Sequence, residues 1–306
     1  MHYRNKIIEL VTMKMPISAI TAKNFAQNIL EESGLLALPV DIFSLAKKND
    51  INIQEMPHEL AINSIYGALF MKNDAVTIYY STAINNTGFQ NFTIAHELGH
   101  YFLDGHINQV IGESGLHLSN SDFCSKDSFE FEADQFAAGL LMPEKLCKKL
   151  IGRYDDGLNG IMALANDTMS SLTAAAIRYI DLTTSTAAIV ISSCGSFEYT
   201  VHTRDMVKLG SFPLRGAKIP IGSLTAKISR DRIISENDCE NKEIDSDLSL
   251  WMGGKKSIPC TEQVIKLGRT RKTLTVLTCS VIEDEDEDEE LDSDESFEKR
   301  WGLHFR

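Results

Sequence analysis

Phe92-Thr93-Ile94-Ala95-His96-Glu97-Leu98-Gly99-His100 is the stretch that decides how this chain is read. The pattern predicts a helix over about 88–102. On a helix, positions i and i+4 share a face, so His96 and His100 can grip one metal ion. Glu97 projects toward the rim of the same site. There a carboxylate can take a proton from an activated water and pass it to a leaving amine. Two imidazoles beside an open coordination position suit catalytic zinc. Phe92, Ile94, Ala95 and Leu98 make this a buried helix rather than a solvated one. Gly99 costs about 1 kcal/mol against alanine inside a helix. A small residue between the two histidines predicts that another element packs close there.

A hydrolytic metal site needs a third protein ligand, and the chain offers two candidates. Glu130 opens the segment Glu130-Phe131-Glu132-Ala133-Asp134-Gln135-Phe136-Ala137-Ala138-Gly139-Leu140-Leu141-Met142-Pro143, which reads as a helix ending near the proline. Glu130 and Asp134 lie four apart, so one can ligate while the other orients a ligand histidine through its free ring N–H. Glu132 points about 200° away from Glu130 on a helix, which disfavours it as a ligand. His106, six residues after His100, is the other candidate. It has the histidine spacing of HExxHxxGxxH, but Leu103 stands at the glycine position and the glycine is at 105.

FTIAHELGHYFLDGH followed by FEFEADQFAAGLLMP resembles the ImmA/IrrE family of metallopeptidases. Gly34-Leu35-Leu36-Ala37-Leu38-Pro39-Val40-Asp41-Ile42 and Ser64-Ile65-Tyr66-Gly67 are similar to that family's entry into the domain. The resemblance covers about residues 20–150 and continues more weakly to about 182. It implies zinc, or manganese in its place, held by His96, His100 and Glu130, with Glu97 as general base. It also implies a narrow substrate: a helix-turn-helix repressor whose cleavage releases a mobile-element or stress-response regulon.

With 306 residues, 43% of them hydrophobic, the chain can bury a sizeable core in about two domains. The net charge of −13 is unevenly spread. Residues 283–306 hold 12 acids and 3 bases, leaving 31 acids and 27 bases elsewhere. The globular part is therefore only mildly acidic and has no lysine/arginine block to suit phosphates. Direct nucleic-acid binding is not expected. The run Glu283–Glu290 self-repels and reads as a solvated linker before an aromatic, basic end containing Trp301 and Phe305. No apolar run of 18 residues predicts a membrane span. Residues 1–20 carry charges and no cleavable apolar core. Six cysteines (124, 147, 194, 239, 260, 279) form no CxxC pair, as in reduced cytoplasmic proteins. Cys124 lies close enough in sequence to the metal motif to be considered as a competing ligand.

The expected organisation is α+β. Residues 1–150 form a zincin-like zinc metallopeptidase domain. Residues 151–184 form a helical linker with a helix-turn-helix-like pair around a turn at 167–170. Residues 185–282 form a β-rich sensory domain, GAF-like by analogy, and 283–306 an acidic tail. Within the first domain, 21–33 reads as a helix stopped by Gly34, and Asp41 caps a second helix. Residues 66–71 and 75–80 read as a hairpin closed by Lys72-Asn73-Asp74. Strand 75–80 is the expected edge for an extended substrate, and 101–128 a polar loop. Tyr101 and His106 are the candidate oxyanion donors. Strands at 187–191, 197–201, 263–267 and 273–278 fit an antiparallel sheet with one covered face. The alternative to an endopeptidase is a regulatory protein or toxin–antitoxin component acting by sequestration. An intact Glu97 argues against it, because metal binding alone does not require that base.

Overall fold

A computed structural model describes residues 19–57, 65–111, 115–120, 127–154, 157–230, 242–254, 256–267 and 271–279. Cys124, Cys239 and the tail 283–306 lie outside the described residues. The chain divides into two compact units. One is Met1–Leu146 with Asp167–Ser170, and the other is Cys147–Asn166 with Ser171–Arg306.

The first unit is mixed α and β. It runs α1 (Ala19–Ser33), α2 (Ile42–Lys48), β1 (Ile51–Glu55), β2 (Ile65–Lys72), β3 (Ala75–Tyr80), α3 (Thr87–Phe102), α4 (His106–Val110), β4 (Leu116–Asn120) and α5 (Ser128–Leu141). Helix starts follow side-chain capping. Asp41 accepts from Ser44 N, Asn86 from Phe89 N and Asp127 from Phe129 N, which satisfies donors that a first turn leaves open. Gly34 closes α1 with φ +66°, a conformation that costs glycine little. In the β2–β3 hairpin Lys72 pairs with Ala75, so the connection is the two residues Asn73 and Asp74. Both have positive φ, as the twist of a tight hairpin requires.

The strand order is β1-β3-β2-β4, with β1 parallel to β3 and the other pairs antiparallel. This corrects the sequence reading twice. Strand β3 is paired on both sides and offers no edge. The stretch 101–128 is not one loop, since it contains α4 and β4. The outer strand beside β2 is β4, where Leu69 faces His117. Its five residues, Leu-His-Leu-Ser-Asn, alternate but are short, and the strand is defined by its pairing with β2.

Helix α3 packs against β2 and β3 on one side and α5 on the other. Helix α1 covers α5 with Ala22, Ala26, Ile29 and Leu30, an i, i+4, i+7, i+8 stripe that is fully buried. The crossing is close: a Cβ on Gly139 of α5 would lie 2.5 Å from Lys23 Cα.

The second unit takes most of α6 (Glu144–Ile151), then α7 (Leu158–Thr168) and α8 (Leu172–Leu182). There follow β5 (Thr186–Ser193), β6 (Ser196–His202), α9 (Arg204–Leu209), α10 (Leu224–Arg230), β7 (Lys242–Asp247), α11 (Leu248–Met252), β8 (Pro259–Lys266) and β9 (Lys272–Cys279). The sheet order is β6-β5-β9-β8-β7, antiparallel throughout. Strand β5 is buried at seven successive positions, so both faces are covered, not one. Its run Ala187-Ala188-Ile189-Val190-Ile191 lacks polar alternation for that reason. The charged β7 was not foreseen. Trp251 fills the core of this unit and meets Phe197 edge-on, with ring centroids 6.1 Å apart. In α8, Arg178 is buried and lies 3.7 Å from Asp181, so it is not displayed as a phosphate contact would need to be. Among the described residues, no helix is long and apolar enough to cross a membrane.

Gly139→Ala should lower unfolding stability by about 1–3 kcal/mol, because the new methyl group meets backbone and α1 must move. Urea denaturation of the variant beside the wild type measures this, and an unchanged midpoint would contradict the close crossing.

Candidate metal centre

Four side chains converge. Ligand-capable atoms of His96, His100, His117 and Glu130 all lie within 4.8 Å of one another. His96 and His100 come from successive turns of α3, with Nε2 atoms 3.1 Å apart. Glu130, in the first turn of α5, places Oε2 3.2 Å from His96 Nε2 and Oε1 3.3 Å from His100 Nε2. His117 of β4 brings its Nε2 within 3.4 Å of Glu130 Oε1. Ligand bonds of about 2.0–2.2 Å to a tetrahedral ion imply separations of about 3.3–3.6 Å between ligand atoms. The donors stand close to that spacing. A nitrogen-rich set with one carboxylate therefore fits a divalent metal, zinc in particular.

The helix contact that assembles this cluster is tight. A Cβ on Gly99 would lie 3.1 Å from Ala133 Cα and 3.2 Å from Ala133 O. The element expected to pack against Gly99 is α5, the helix that carries Glu130. Asp134, one turn after Glu130, places Oδ1 2.8 Å from His96 Nδ1. That bond fixes the ring so that Nε2 faces the cluster.

Glu97 is fully buried. Ser119 Oγ donates to its Oε1 at 2.6 Å, while Oε2 has no hydrogen-bond partner. Such an oxygen is costly unless something else occupies its neighbourhood. Room for the carboxylate comes from Gly67 of β2, where a Cβ would sit 2.5 Å from Glu97 Oε1. His117 and Ser119 project from the same face of β4, and their Nε2 and Oγ are 3.1 Å apart. Beside His117 and Glu130 opens a cleft of about 340 Å³, lined also by Gln109, Val110, Asp127 and Phe129.

Electrostatics separates the groups. Burial pushes Glu97 up to about 7, against the downward pull of His96 and Ser119. Burial likewise lowers His100 to about 3 and lowers His117. For His96 burial is outweighed by hydrogen bonds to Asp134 and Glu130, which raise it to about 10. The same histidine contacts outweigh burial at Glu130 and hold it well below the usual carboxylate range. Burial raises Asp134. His100 thus presents a lone pair, and a metal entering the site would have to displace the proton held on His96.

The structure therefore brings together His96, His100 and Glu130, with Glu97 beside them. His106 lies elsewhere: its Nδ1 is 3.2 Å from His100 Nδ1, on the side of that ring away from the cluster. Tyr101 packs edge-on against Phe102, with ring centroids 5.1 Å apart. Sequence reasoning missed His117 and Ser119. The alternation Leu116-His117-Leu118-Ser119, with polar residues on one face, was the available signal.

Residues 46–179 match the family model described as the IrrE N-terminal-like domain, peptidase M78. Over 141 residues the chain is 26% identical to the metallopeptidase ImmA of Bacillus subtilis (strain 168), covering 46% of this chain and 72% of that protein. Among solved structures, a Mycobacterium tuberculosis transcriptional regulator aligns over 84% of this chain and 87% of its own, with 13% identity and a TM-score of 0.49.

Gly67→Ala should push the Glu97 carboxylate off Ser119, because the methyl group and Oε1 cannot both occupy that space. A crystal structure of the variant checks this. Glu97 and Ser119 still at hydrogen-bond distance, with β2 unmoved, would contradict the cradle.

Proposed function

Because residues 46–179 belong to the ImmA/IrrE family of metallopeptidases, we propose that this protein is a zinc-dependent endopeptidase that cuts a specific protein inside the cytoplasm. The observation that carries this is the pairing of a tetrahedrally spaced donor set with a buried carboxylate whose one oxygen is unpartnered. His96, His100 and Glu130 would hold the metal, in a zincin-like arrangement, and Asp134 would orient His96. Zinc bound there would polarise the scissile carbonyl and activate a water; manganese could take its place.

The chain's own residues supply the rest. Glu97, held through Oε1 by Ser119, keeps Oε2 available to accept a proton and deliver it to the leaving amine. His117 is the donor for negative charge developing on the substrate oxygen. Its Nε2 approaches two acceptors, Ser119 Oγ and Glu130 Oε1, which favours a proton on that nitrogen. Among the described residues β4 is hydrogen-bonded on one side only. An extended substrate segment can add to its free side and so lie along His117.

The substrate is a helix-turn-helix transcriptional repressor, and its cleavage would release a stress-response or mobile-element regulon. The family resemblance supports this choice. The mildly acidic globular part and the buried Arg178 support recognition of the protein rather than of its DNA. The β-rich second unit is proposed as a GAF-like sensory module, supported by its five-stranded antiparallel sheet.

Purified repressor incubated with this protein should be cut at one bond, with loss of activity in chelator and recovery on adding zinc or manganese. Glu97→Gln should retain the metal and lose cleavage by at least about 100-fold, the scale of general acid–base catalysis. Full activity in that variant would remove Glu97 from the mechanism. His117→Asn should reduce kcat by about 100-fold, comparable to losing one oxyanion donor, with metal content unchanged. A variant that loses its metal instead would make His117 a ligand.

A further inference from the structure

We propose that His106 and Glu132 form a positioning relay behind the metal centre that sets which nitrogen of His100 is free to bind the ion. The proposal rests on the reading of His100 as a metal ligand. Neither His106 nor Glu132 belongs to the metal cluster, yet both are buried, His106 completely. The three side chains form a continuous chain of contacts. His100 Nδ1 lies 3.2 Å from His106 Nδ1, and His106 Nε2 lies 3.1 Å from Glu132 Oε2.

The proton arrangement follows from the far end. A carboxylate can only accept, so His106 must carry its proton on Nε2 and donate it to Glu132. With one proton per ring, His106 Nδ1 is then a bare acceptor. It can be satisfied only if His100 carries its proton on Nδ1. That leaves the lone pair of His100 on Nε2, the atom 3.1 Å from His96 Nε2 and 3.3 Å from Glu130 Oε1. The opposite setting would place a proton on His100 Nε2 and block the site. Glu132 selects the binding tautomer through two intervening bonds, much as Asp134 does for His96 through one.

The fold explains why an intermediary is needed. Glu130 and Glu132 are two residues apart on α5 and so face nearly opposite directions. Glu132 cannot reach His100 itself. After α3 the chain turns at Gly105, with φ +79°, and returns His106 into the gap between them. The Phe129 ring stands edge-on to His106, with centroids 5.0 Å apart, and restrains its rotation.

The test uses the full chain and three variants. His106→Phe keeps the ring shape but has no acceptor or donor. His106→Gln offers an amide oxygen to His100 and an amide N–H to Glu132, which preserves the polarity. Glu132→Leu removes the terminal acceptor. Zn2+ affinity is measured by competition with a chromophoric chelator, and the His100 tautomer in the metal-free protein by long-range 1H–15N correlation. His106→Phe and Glu132→Leu should weaken Zn2+ binding about 10–100-fold, while His106→Gln should stay within about threefold of wild type. Wild type should show His100 protonated on Nδ1 before metal is added. Wild-type Zn2+ affinity in His106→Phe, equal loss in His106→Gln and His106→Phe, or a metal-free wild-type His100 protonated on Nε2 would each overturn the relay alone. A wild-type chain that binds no Zn2+ would overturn the metal reading, and the relay with it.

Discussion

The approach of α3 to α5 at Gly99, backbone against backbone, is the constraint on which the site depends. Helical spacing alone sets His96 and His100 on one face, but it supplies no carboxylate. Glu130 reaches both imidazoles only because nothing larger than hydrogen separates Gly99 from Ala133. Helix α5 is held closer still by α1 at Gly139, where an added Cβ would lie 2.5 Å from Lys23 Cα. The buried stripe of α1 and the stacking of Phe102 on Phe136 fill the remaining space with apolar contact. An ionisable cluster is thus clamped between packed helices and opens at the cleft beside His117 and Glu130.

Such a cluster is expensive to bury, and the structure offsets the cost by pairing. Glu130 meets His96, His100 and His117, Asp134 meets His96, and Glu132 meets His106. Glu97 is the exception. It has Ser119 on one oxygen and no partner on the other, and burial pushes its carboxyl up to about 7. The acid with the poorest hydrogen bonding is also the one we propose as the general base.

The first unit was legible where short-range rules decide the outcome. The capping Asp41, a helix-ending glycine and a tight hairpin are local events, and each occurs close to where composition puts it. The clustering of His96, His100 and Glu130 was legible because i, i+4 geometry fixes one pair and the family resemblance pointed to the third residue. What failed depended on partners distant in sequence. That β3 is interior follows from its pairing with β1, which no pattern within 75–80 encodes. Strand β4 is five residues between polar stretches, and its worth comes from lying beside β2. His106 has a spacing that suggests a ligand, yet the turn at Gly105 sends it behind His100. In the second unit, Trp251 showed no role in the sequence because its role is packing within a core built from widely separated segments.

Helix α5 carries Glu130, Glu132 and Asp134 at alternate positions, and each contacts a different set of histidines. A helix advances about 100° per residue, so losing or gaining one residue between 130 and 134 would rotate these contacts out of phase together. The stretch between α3 and α5 is under no such phase restriction beyond returning His106 and laying down β4. Lineages of this protein should therefore vary in length between 107 and 127 while α5 tolerates substitutions and no insertions. The centre is built on one helical frame rather than from separate residues.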